Sequence, residues 1–302
     1  MTNGIIIINK EKGFTSFDVV AKLRKIFNQK KIGHTGTLDP DATGVLPVCL
    51  GKATKVCDLL TDKSKTYVCT LKLGITTDTE DLSGQILSDH TKEASLLSEE
   101  EVRSAILSFL GSSSQVPPMY SALKINGKKL YELAREGKVI ERKARPITIS
   151  EIKITSSYRD CEISFEVSCS KGTYIRSLCR DIGERLRVGG AMKELTRVRV
   201  ATFTLDQALT LSEVEAAIEN GRISSYIFEP DSLFPYPKLQ VREEAMRFLS
   251  NGNALTISEF LEEPESFTSD FYRVYTKEGH FAAIYQKSQK QKNLLTMVKN
   301  FQ

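Results

Sequence analysis

The segment at residues 33–47 constrains the fold of this chain more than any other. It holds three glycines and two prolines, and Asp39 stands directly before Pro40. Proline disfavours the helical region for the residue that precedes it, so we expect Asp39 on extended backbone in a loop. A carboxylate held on such a loop, five residues after His34, is well placed for a catalytic role. The alternative is an ordinary Asp-Pro turn, in which the aspartate bonds its own backbone.

Length and composition indicate a globular chain. It has 302 residues, of which 40% are hydrophobic and 26% charged. That is enough for one large domain with a small one, or for two ordinary domains. The apolar run at residues 5–8 is far too short to cross a membrane and has no basic segment before it. We therefore expect a buried strand there, with neither a signal peptide nor a membrane association.

The cysteines and histidines do not suggest a metal site. The six cysteines include no Cys-x-x-Cys pair, and there are only three histidines. Zinc sites need clustered ligands, so we expect neither a metal nor another cofactor. Most of the cysteines lie among apolar residues, which favours buried free thiols and a cytoplasmic protein. The net charge of +4 permits a polyanionic partner without requiring one.

Periodicity predicts several helices and strands. Apolar residues recur at helical spacing over residues 16–28, and Ser98 with Glu101 forms a capping box that begins another helix. Alternation over residues 161–169 predicts a half-buried strand, and a further strand is expected at 67–73. The elements lack the regular strand-helix repeat of a parallel sheet. The predicted class is therefore α+β, with a mixed or antiparallel sheet.

A proline-rich stretch suggests where one domain ends. Residues 230–237 contain three prolines, and we place one domain at residues 1–232 and a smaller one at 236–302. The second domain includes a predicted hairpin whose turn lies at residues 277–279. Its length and pattern suit a small β-rich unit.

Basic residues concentrate at residues 122–146. Eight basic residues face only three acidic ones in this stretch, with Tyr131 among them. Basic side chains with interleaved aromatics are typical of a surface that binds nucleic acid, because phosphates attract the charges and bases can stack. The alternative is a surface that only keeps the protein soluble.

Five segments together resemble the TruB family, the bacterial tRNA pseudouridine synthases that act on uridine 55 of the T-arm. They occur in the order of the family, within residues 4–205, at residues 33–55, 65–79, 116–131, 170–178 and 195–199. The resemblance implies a pseudouridine synthase catalytic domain with an RNA-binding insertion at about 120–146 and a PUA-like C-terminal domain. It also implies an enzyme that flips its target base, needs no cofactor or guide RNA, and acts as a monomer on the T-arm.

The resemblance assigns the reaction to three residues. It makes Asp39 the nucleophile or base that pseudouridine formation requires. Arg176 is its ion-pair partner, which keeps the carboxylate charged and oriented. Tyr67 is expected to stack against the uracil, and it is a candidate for moving the proton from C5.

The remaining site residues are assigned to binding. Tyr174 and Leu195 are expected to line the uridine pocket, Tyr174 because it alternates with Arg176 on one face of a predicted strand. His34 could be a general acid or base, but the resemblance suggests that it fills the gap left by the flipped nucleotide. We assign the contacts with the RNA backbone to basic side chains: Lys10, Lys124, Lys128, Lys129 and Arg145.

Two other functions remain open at this stage. A glycoside hydrolase or base glycosylase uses a spaced pair of carboxylates, and the sequence offers no clear partner for Asp39, Asp41 being the nearest. A chaperone that folds tRNA by binding its T-arm would share the basic surface, but it would not need Asp39 beside Arg176. The sequence also leaves open whether Asp39 attacks the sugar, attacks the base or removes a sugar proton.

Overall fold

We describe a computed structural model, in which residues 1–61, 63–125, 127–262 and 264–302 are placed. The strands of the N-terminal part are β1 (Gly4–Lys10), β2 (Ile32–His34), β3 (Thr43–Leu50), β4 (Lys65–Leu73), β5 (Ile75–Thr77), β6 (Ile86–Asp89), β7 (Gly111–Gln115), β8 (Lys124–Ile125), β9 (Lys128–Lys129), β10 (Arg145–Ile154), β11 (Glu162–Cys169), β12 (Gly190–Val200) and β13 (Phe203–Thr204). Its helices are α1 (Ser16–Ile26), α2 (Cys57–Thr61), α3 (Thr91–Ala94), α4 (Glu99–Leu107), α5 (Leu130–Arg135), α6 (Ile175–Arg185) and α7 (Leu211–Glu219).

One nine-stranded sheet organises this part of the chain. Its strand order is β1-β3-β12-β4-β11-β10-β7, with β2 paired to β3 and β13 paired to β12. Among the described strands of this sheet, β3 and β12 pair in parallel and the other pairs are antiparallel. The mixed, mostly antiparallel sheet and its helices confirm the predicted α+β class.

Local patterns account well for several elements. On β11 the side chains of Ile163, Phe165 and Val167 are buried, as the alternation predicted. At the start of α4, the Ser98 hydroxyl accepts a hydrogen bond from the Glu101 amide, and the Glu101 carboxylate accepts one from the Ser98 amide at 2.8 Å. Both the strand and the capping box are therefore confirmed.

The segment at residues 170–178 differs from its prediction. It is not a strand: Tyr174 is the N-cap residue of α6, and Arg176 lies in the first turn of that helix. The buried residues Ile175, Leu178 and Ile182 recur at the helical period, which places them on one face against the sheet. The prediction that Tyr174 and Arg176 alternate along a strand is wrong, because this apolar spacing favours a helix.

The C-terminal part forms a second sheet. Its elements are β14 (Lys238–Gln240), α8 (Met246–Ser250), β15 (Leu255–Thr256), β16 (Phe271–Tyr275), β17 (Phe281–Lys287) and β18 (Leu294–Asn300), and its strand order is β14-β16-β17-β18-β15. Strands β16 and β17 form the predicted hairpin. Besides a core of its own, this part shares an apolar cluster with the first sheet, in which Phe234, Ile284 and Phe301 join Ile5 and Ile7.

Two further expectations concern the cysteines and the membrane. All six cysteines are free thiols, and all except the half-exposed Cys57 are buried. Within the described residues, we find no helix with both the length and the apolar character that crossing a membrane requires.

The capping box of α4 can be tested by comparing two serines of one region. Ser98→Ala removes the side chain that accepts from the Glu101 amide, and we expect it to lower the free energy of unfolding by about 1 kcal/mol. Ser104→Ala, at an exposed position inside the same helix, should leave stability unchanged or slightly raised, since alanine favours helix. Urea unfolding followed by far-UV circular dichroism measures both. Equal stability of the two variants would contradict the role of the cap.

Candidate active site

Asp39 and Arg176 form a two-pronged ion pair. The Arg176 Nε donates to Asp39 Oδ2 at 2.9 Å, and Nη2 donates to Oδ1 at 3.2 Å. The arginine side chain is 5% exposed, whereas the aspartate side chain is 37% exposed. Because two parallel hydrogen bonds fix orientation as well as position, the buried arginine holds the carboxylate in one orientation while leaving it accessible from solvent.

The same guanidinium joins two other segments to the loop of Asp39. Its Nη1 donates to the carbonyl of Thr79, and its Nη2 donates to the carbonyl of Tyr120, both at 2.8 Å. Asp81 Oδ2 lies 3.8 Å from Nε. Arg176 therefore connects the loop of Asp39, the turn at residues 79–81 and the start of the basic insertion.

The loop of Asp39 is a turn, but the aspartate side chain does not serve that turn. The backbone carbonyl of Asp39 accepts from the amide of Ala42 at 3.1 Å. The carboxylate points instead to Arg176. The Leu38 amide before it donates to the buried Ser16 hydroxyl at 2.9 Å, which ties the loop to the first turn of α1.

Lys10 lies beneath this loop and not on the surface. Its side chain is fully buried, and its Nζ donates to three carbonyl oxygens, those of Glu11 at 3.0 Å, Phe14 at 2.7 Å and Pro40 at 2.9 Å. A lysine whose three donors are all engaged inside the protein has none to offer to a phosphate. The predicted RNA contact of Lys10 is therefore wrong, and the residue supports the loop.

Arg197 supports the other end of the loop. It is 1% exposed and donates from Nε to the carbonyl of Val45 at 2.8 Å, with longer contacts from its Nη atoms to the carbonyls of Gly36 and Thr37. At Gly44, where φ is +102°, an added Cβ would lie 2.2 Å from the Arg197 carbonyl oxygen. Only glycine permits this close approach of the two strands.

An apolar wall lies beside the carboxylate. Tyr67 on β4 and Leu195 on β12 are each 8% exposed, and both belong to the cluster that contains Leu38 and Ala42. Burial raises the pKa of Tyr67, although the nearby Arg197 guanidinium opposes this shift. The Tyr67 hydroxyl is therefore protonated at neutral pH.

Tyr174 is held by its backbone. Its amide donates to Gln115 Oε1 at 2.8 Å, and its carbonyl accepts from Gln115 Nε2 at 3.0 Å. Burial raises the pKa of Tyr174, while the positive charges of Arg176 and Arg145 lower it. Tyr174 thus lies near the ion pair, which it reaches from the cap of a helix, and its place in the uridine pocket stays a prediction.

His34 ends β2 and is half-buried. Its Nδ1 accepts from the Gly36 amide at 3.3 Å. Burial lowers the pKa of His34, and the charge of Arg197 acts in the same direction. At neutral pH the ring is therefore uncharged, which suits packing against a base better than donating a proton.

The basic insertion presents most of its charges to solvent. Strands β8 and β9 pair as a small hairpin on which Lys124 and Lys128 are exposed (residue 126 lies outside the described residues). Lys129 is half-buried, and its Nζ donates to the Tyr131 hydroxyl at 3.1 Å. Arg145 is exposed at the start of β10. These four side chains remain predicted RNA contacts.

Sequence reasoning missed the second carboxylate. Asp81 accepts hydrogen bonds at Oδ1 from the hydroxyls of Thr79 at 2.8 Å and Ser83 at 2.5 Å. The nearer candidate in sequence, Asp41, is exposed. The signal was available, since Asp81 follows by two residues the segment 65–79 that carried the resemblance. The contacts of Gln115 and of the Tyr120 carbonyl left no such signal.

Comparison with known proteins agrees with this geometry. Residues 24–175 match the TruB family pseudouridylate synthase N-terminal domain, and residues 176–229 match the tRNA pseudouridylate synthase B C-terminal domain. The chain belongs to the TruB family of pseudouridylate synthases.

Relatives of similar length are known. The tRNA pseudouridine synthase B of Lachnoclostridium phytofermentans is 53% identical over 309 residues, which cover 99% of each chain. The protein of the same name from Bacillus pumilus is 42% identical, over 99% of this chain and 97% of the relative. Among solved structures, a crystal structure of a Cbf5-Nop10-Gar1 complex matches 99% of this chain and 85% of the other with a TM-score of 0.73 and 27% identity.

The burial of Lys10 predicts a pH dependence of stability. Burial lowers the pKa of Lys10 to about 8 in the folded protein, against 10.5 for a free side chain, despite the attraction of Asp39. Between these values the unfolded chain binds more protons, so this residue makes stability rise with pH there. Relative to Lys10→Met, the wild type should gain on the order of 1 kcal/mol per pH unit between about pH 8 and 10.

Urea unfolding at several pH values measures this difference. Lys12→Met, at an exposed lysine nearby, serves as the matched control and should differ from the wild type by a constant amount. A constant difference for Lys10→Met as well would contradict the burial of a charged amine at this position.

Proposed function

We propose that this enzyme converts uridine to pseudouridine at position 55 in the T-loop of tRNA, with Asp39 as the reacting carboxylate. The observation that carries the proposal is the accessible Asp39 carboxylate, held by the buried Arg176 and flanked by the apolar wall of Tyr67 and Leu195. Relatives that match the whole chain are named tRNA pseudouridine synthase B, which supports tRNA as the substrate.

The reaction is an isomerisation. The bond between ribose C1′ and uracil N1 breaks, the base turns, a bond forms between C1′ and C5, and the proton lost from C5 is balanced by the proton gained at N1. Asp39 acts as a nucleophile toward the sugar or the base, or as the base that removes a sugar proton. In each case the reaction needs a fixed carboxylate, and the two-pronged contact with Arg176 holds Asp39 in one orientation.

The pocket must receive a base that has left its stack. Extruding a nucleotide costs a few kcal/mol, and stacking on an aromatic ring returns about 1–3 kcal/mol per base. Tyr67 provides the ring, and Leu195 and Tyr174 the neighbouring walls. The neutral His34 at the loop entrance takes the space that the flipped nucleotide leaves.

Phosphate contacts come from basic residues of the insertion, namely the exposed Lys124, Lys128 and Arg145 and the half-buried Lys129. Each neutralised phosphate adds affinity that falls with salt. The C-terminal part at residues 236–302 adds RNA-binding surface. The enzyme works as a monomer in the cytoplasm, and a basic surface of its own allows it to bind tRNA without a guide RNA.

Neither rival function gains support from the site. A hydrolase that uses two carboxylates needs one of them as a proton donor, but Asp81 accepts hydrogen bonds from two hydroxyls and faces Arg176. That arrangement suits an anion. A protein that only folds tRNA does not require an accessible carboxylate held by a buried arginine.

The role of Asp39 is tested by Asp39→Asn, with Asp41→Asn as the matched control. The amide retains the size of the side chain but is not a nucleophile, so we expect the rate of pseudouridine formation to fall by roughly 1,000-fold or more. The affinity for tRNA should stay within about threefold, and Asp41→Asn should retain the wild-type rate. Unmodified tRNA is incubated with the purified chain alone, and pseudouridine is mapped by position.

Three outcomes of this assay would contradict the proposal. Product from Asp39→Asn at the wild-type rate would exclude Asp39 as the reacting group. Release of free uracil would identify a glycosylase. Modification by the wild type at another uridine, with position 55 unmodified, would reject the assigned target.

The role of His34 is separated from the chemistry by His34→Ala. Loss of the packing ring should weaken tRNA binding by roughly 10-fold, in line with the loss of one stacking contact. The single-turnover rate at saturating enzyme should change by no more than about threefold, because we assign His34 to packing against the RNA and not to proton transfer. His90→Ala, at an exposed histidine, is the control. Normal binding with a large loss of single-turnover rate would show that His34 acts in the chemistry.

A further inference from the structure

We propose that Glu80, together with Ser177 and Arg180, is a positioning group that holds Arg176 in its two-pronged contact with Asp39. This inference rests on the proposed function of the site and adds residues that act on the site through Arg176. None of the three residues contacts the Asp39 carboxylate within the described structure; they act through the helix that carries Arg176.

The carboxylate of Glu80 binds α6 at two points. Ser177 Oγ donates to Glu80 Oε2 at 2.5 Å, and Arg180 Nη1 donates to Oε1. Glu80 is 8% exposed and Ser177 is fully buried. Arg180 also donates to Asp181 Oδ1 at 2.6 and 2.9 Å, and Glu184 Oε1 lies 3.7 Å from its Nε, so that three carboxylates face its charge. Buried charge-assisted hydrogen bonds of this kind are strong and directional.

The contacts of Glu80 interlock with those of its neighbours. The preceding residue, Thr79, accepts a hydrogen bond from Arg176 through its carbonyl, and the following one, Asp81, has its carboxylate 3.8 Å from the same side chain. Arg176 and Arg180 are four residues apart and therefore lie on one face of α6. Thr79 and Asp81 thus face Arg176, and Glu80 between them binds Ser177 and Arg180 of the same helix.

The backbone of Glu80 has an unfavourable conformation that its side-chain contacts help to maintain. Its φ is +65°, in the left-handed region that residues with a Cβ adopt only rarely. The amide of Met192 on β12 donates to the Glu80 carbonyl at 3.0 Å, which ties the turn to the sheet. The side-chain bonds to Ser177 and Arg180 offset the cost of this conformation, and in it both neighbours of Glu80 face Arg176.

Loss of the Glu80 carboxylate should therefore affect the reaction much more than RNA binding. Without it, the turn and α6 are free to shift against each other, and Arg176 loses the alignment that the Thr79 carbonyl and Asp81 provide. Arg176 contacts the insertion at the Tyr120 carbonyl, whereas the exposed lysines lie further along, on the β8–β9 hairpin, so we expect the affinity for tRNA to depend on this alignment far less than the reaction does.

Two substitutions of Glu80 separate its side chain from its backbone conformation. Glu80→Gln retains the acceptor for Ser177 but loses the charge that faces Arg180, and we expect kcat to fall about 3- to 10-fold. Glu80→Gly removes the side chain and accepts the positive φ without strain, and we expect kcat to fall at least 10-fold. KM for tRNA should stay within about twofold in both variants.

A surface ion pair of the same domain supplies the control. Glu162 accepts from Lys193 at 2.8 Å, and both side chains are substantially exposed. Glu162→Gln should retain the wild-type kcat and KM. Thermal unfolding of each variant shows that it is folded under the conditions of the assay.

A measurement at Arg176 itself tests whether Glu80 affects the reaction through this arginine. In a protein labelled with ¹⁵N-arginine, the Nε–H signal of Arg176, assigned by its loss in Arg176→Lys, reports the hydrogen bond to Asp39. We expect this signal to shift and broaden in Glu80→Gly and to shift less in Glu80→Gln. Wild-type kcat in Glu80→Gly would overturn the inference, and so would a lowered kcat with an unchanged Arg176 signal.

The design also distinguishes failure of this inference from failure of the proposed function. If the wild type forms no pseudouridine in tRNA, the proposed function is wrong, and the Arg176 signal alone then decides whether Glu80 positions that arginine. If the wild type is active and the Glu80 variants match it in kcat and in the signal, the positioning role is wrong and the proposed function stands.

Discussion

The ion pair between Asp39 and Arg176 is the contact on which the rest of the site depends. It joins residues 137 positions apart in the chain. Because the arginine is buried and the aspartate is accessible, the carboxylate is held at the surface and the buried arginine is not left without an ion-pair partner. The same guanidinium also bonds the carbonyls of Thr79 and Tyr120, so that a loop, a turn, a helix and the basic insertion meet at one side chain.

Two further buried cations hold the loop of Asp39 by hydrogen bonds to its backbone. Lys10 and Arg197 donate to carbonyls on either side of it, including those of Pro40 and Val45. A buried charge is costly unless hydrogen bonds satisfy it, and here the loop backbone provides the acceptors. The loop is therefore held by cations on its buried side, while the side that carries the Asp39 carboxylate remains accessible.

Elements that depend on neighbouring residues were predictable. The capping box at Ser98 and the alternation on β11 use contacts within a few positions of the chain, so their patterns are visible in the sequence. The first turn of α6 was assigned to a strand because Tyr174 and Arg176 were paired by alternation, although the apolar spacing beyond them is helical. Lys10 was assigned to RNA contact as a basic side chain, and the sequence gives no sign that its Nζ donates to three backbone carbonyls.

The sequence by itself determined the family, the α+β class and the loop that displays Asp39, because motif order and local periodicity carry that information. Only the tertiary structure decided that Asp81 shares Arg176, that Gln115 holds Tyr174, and that Glu80 binds the helix behind the site. These contacts join segments separated by tens of residues, and which donors meet which acceptors follows from how the sheet and helices pack. Spacing along the chain does not specify that arrangement.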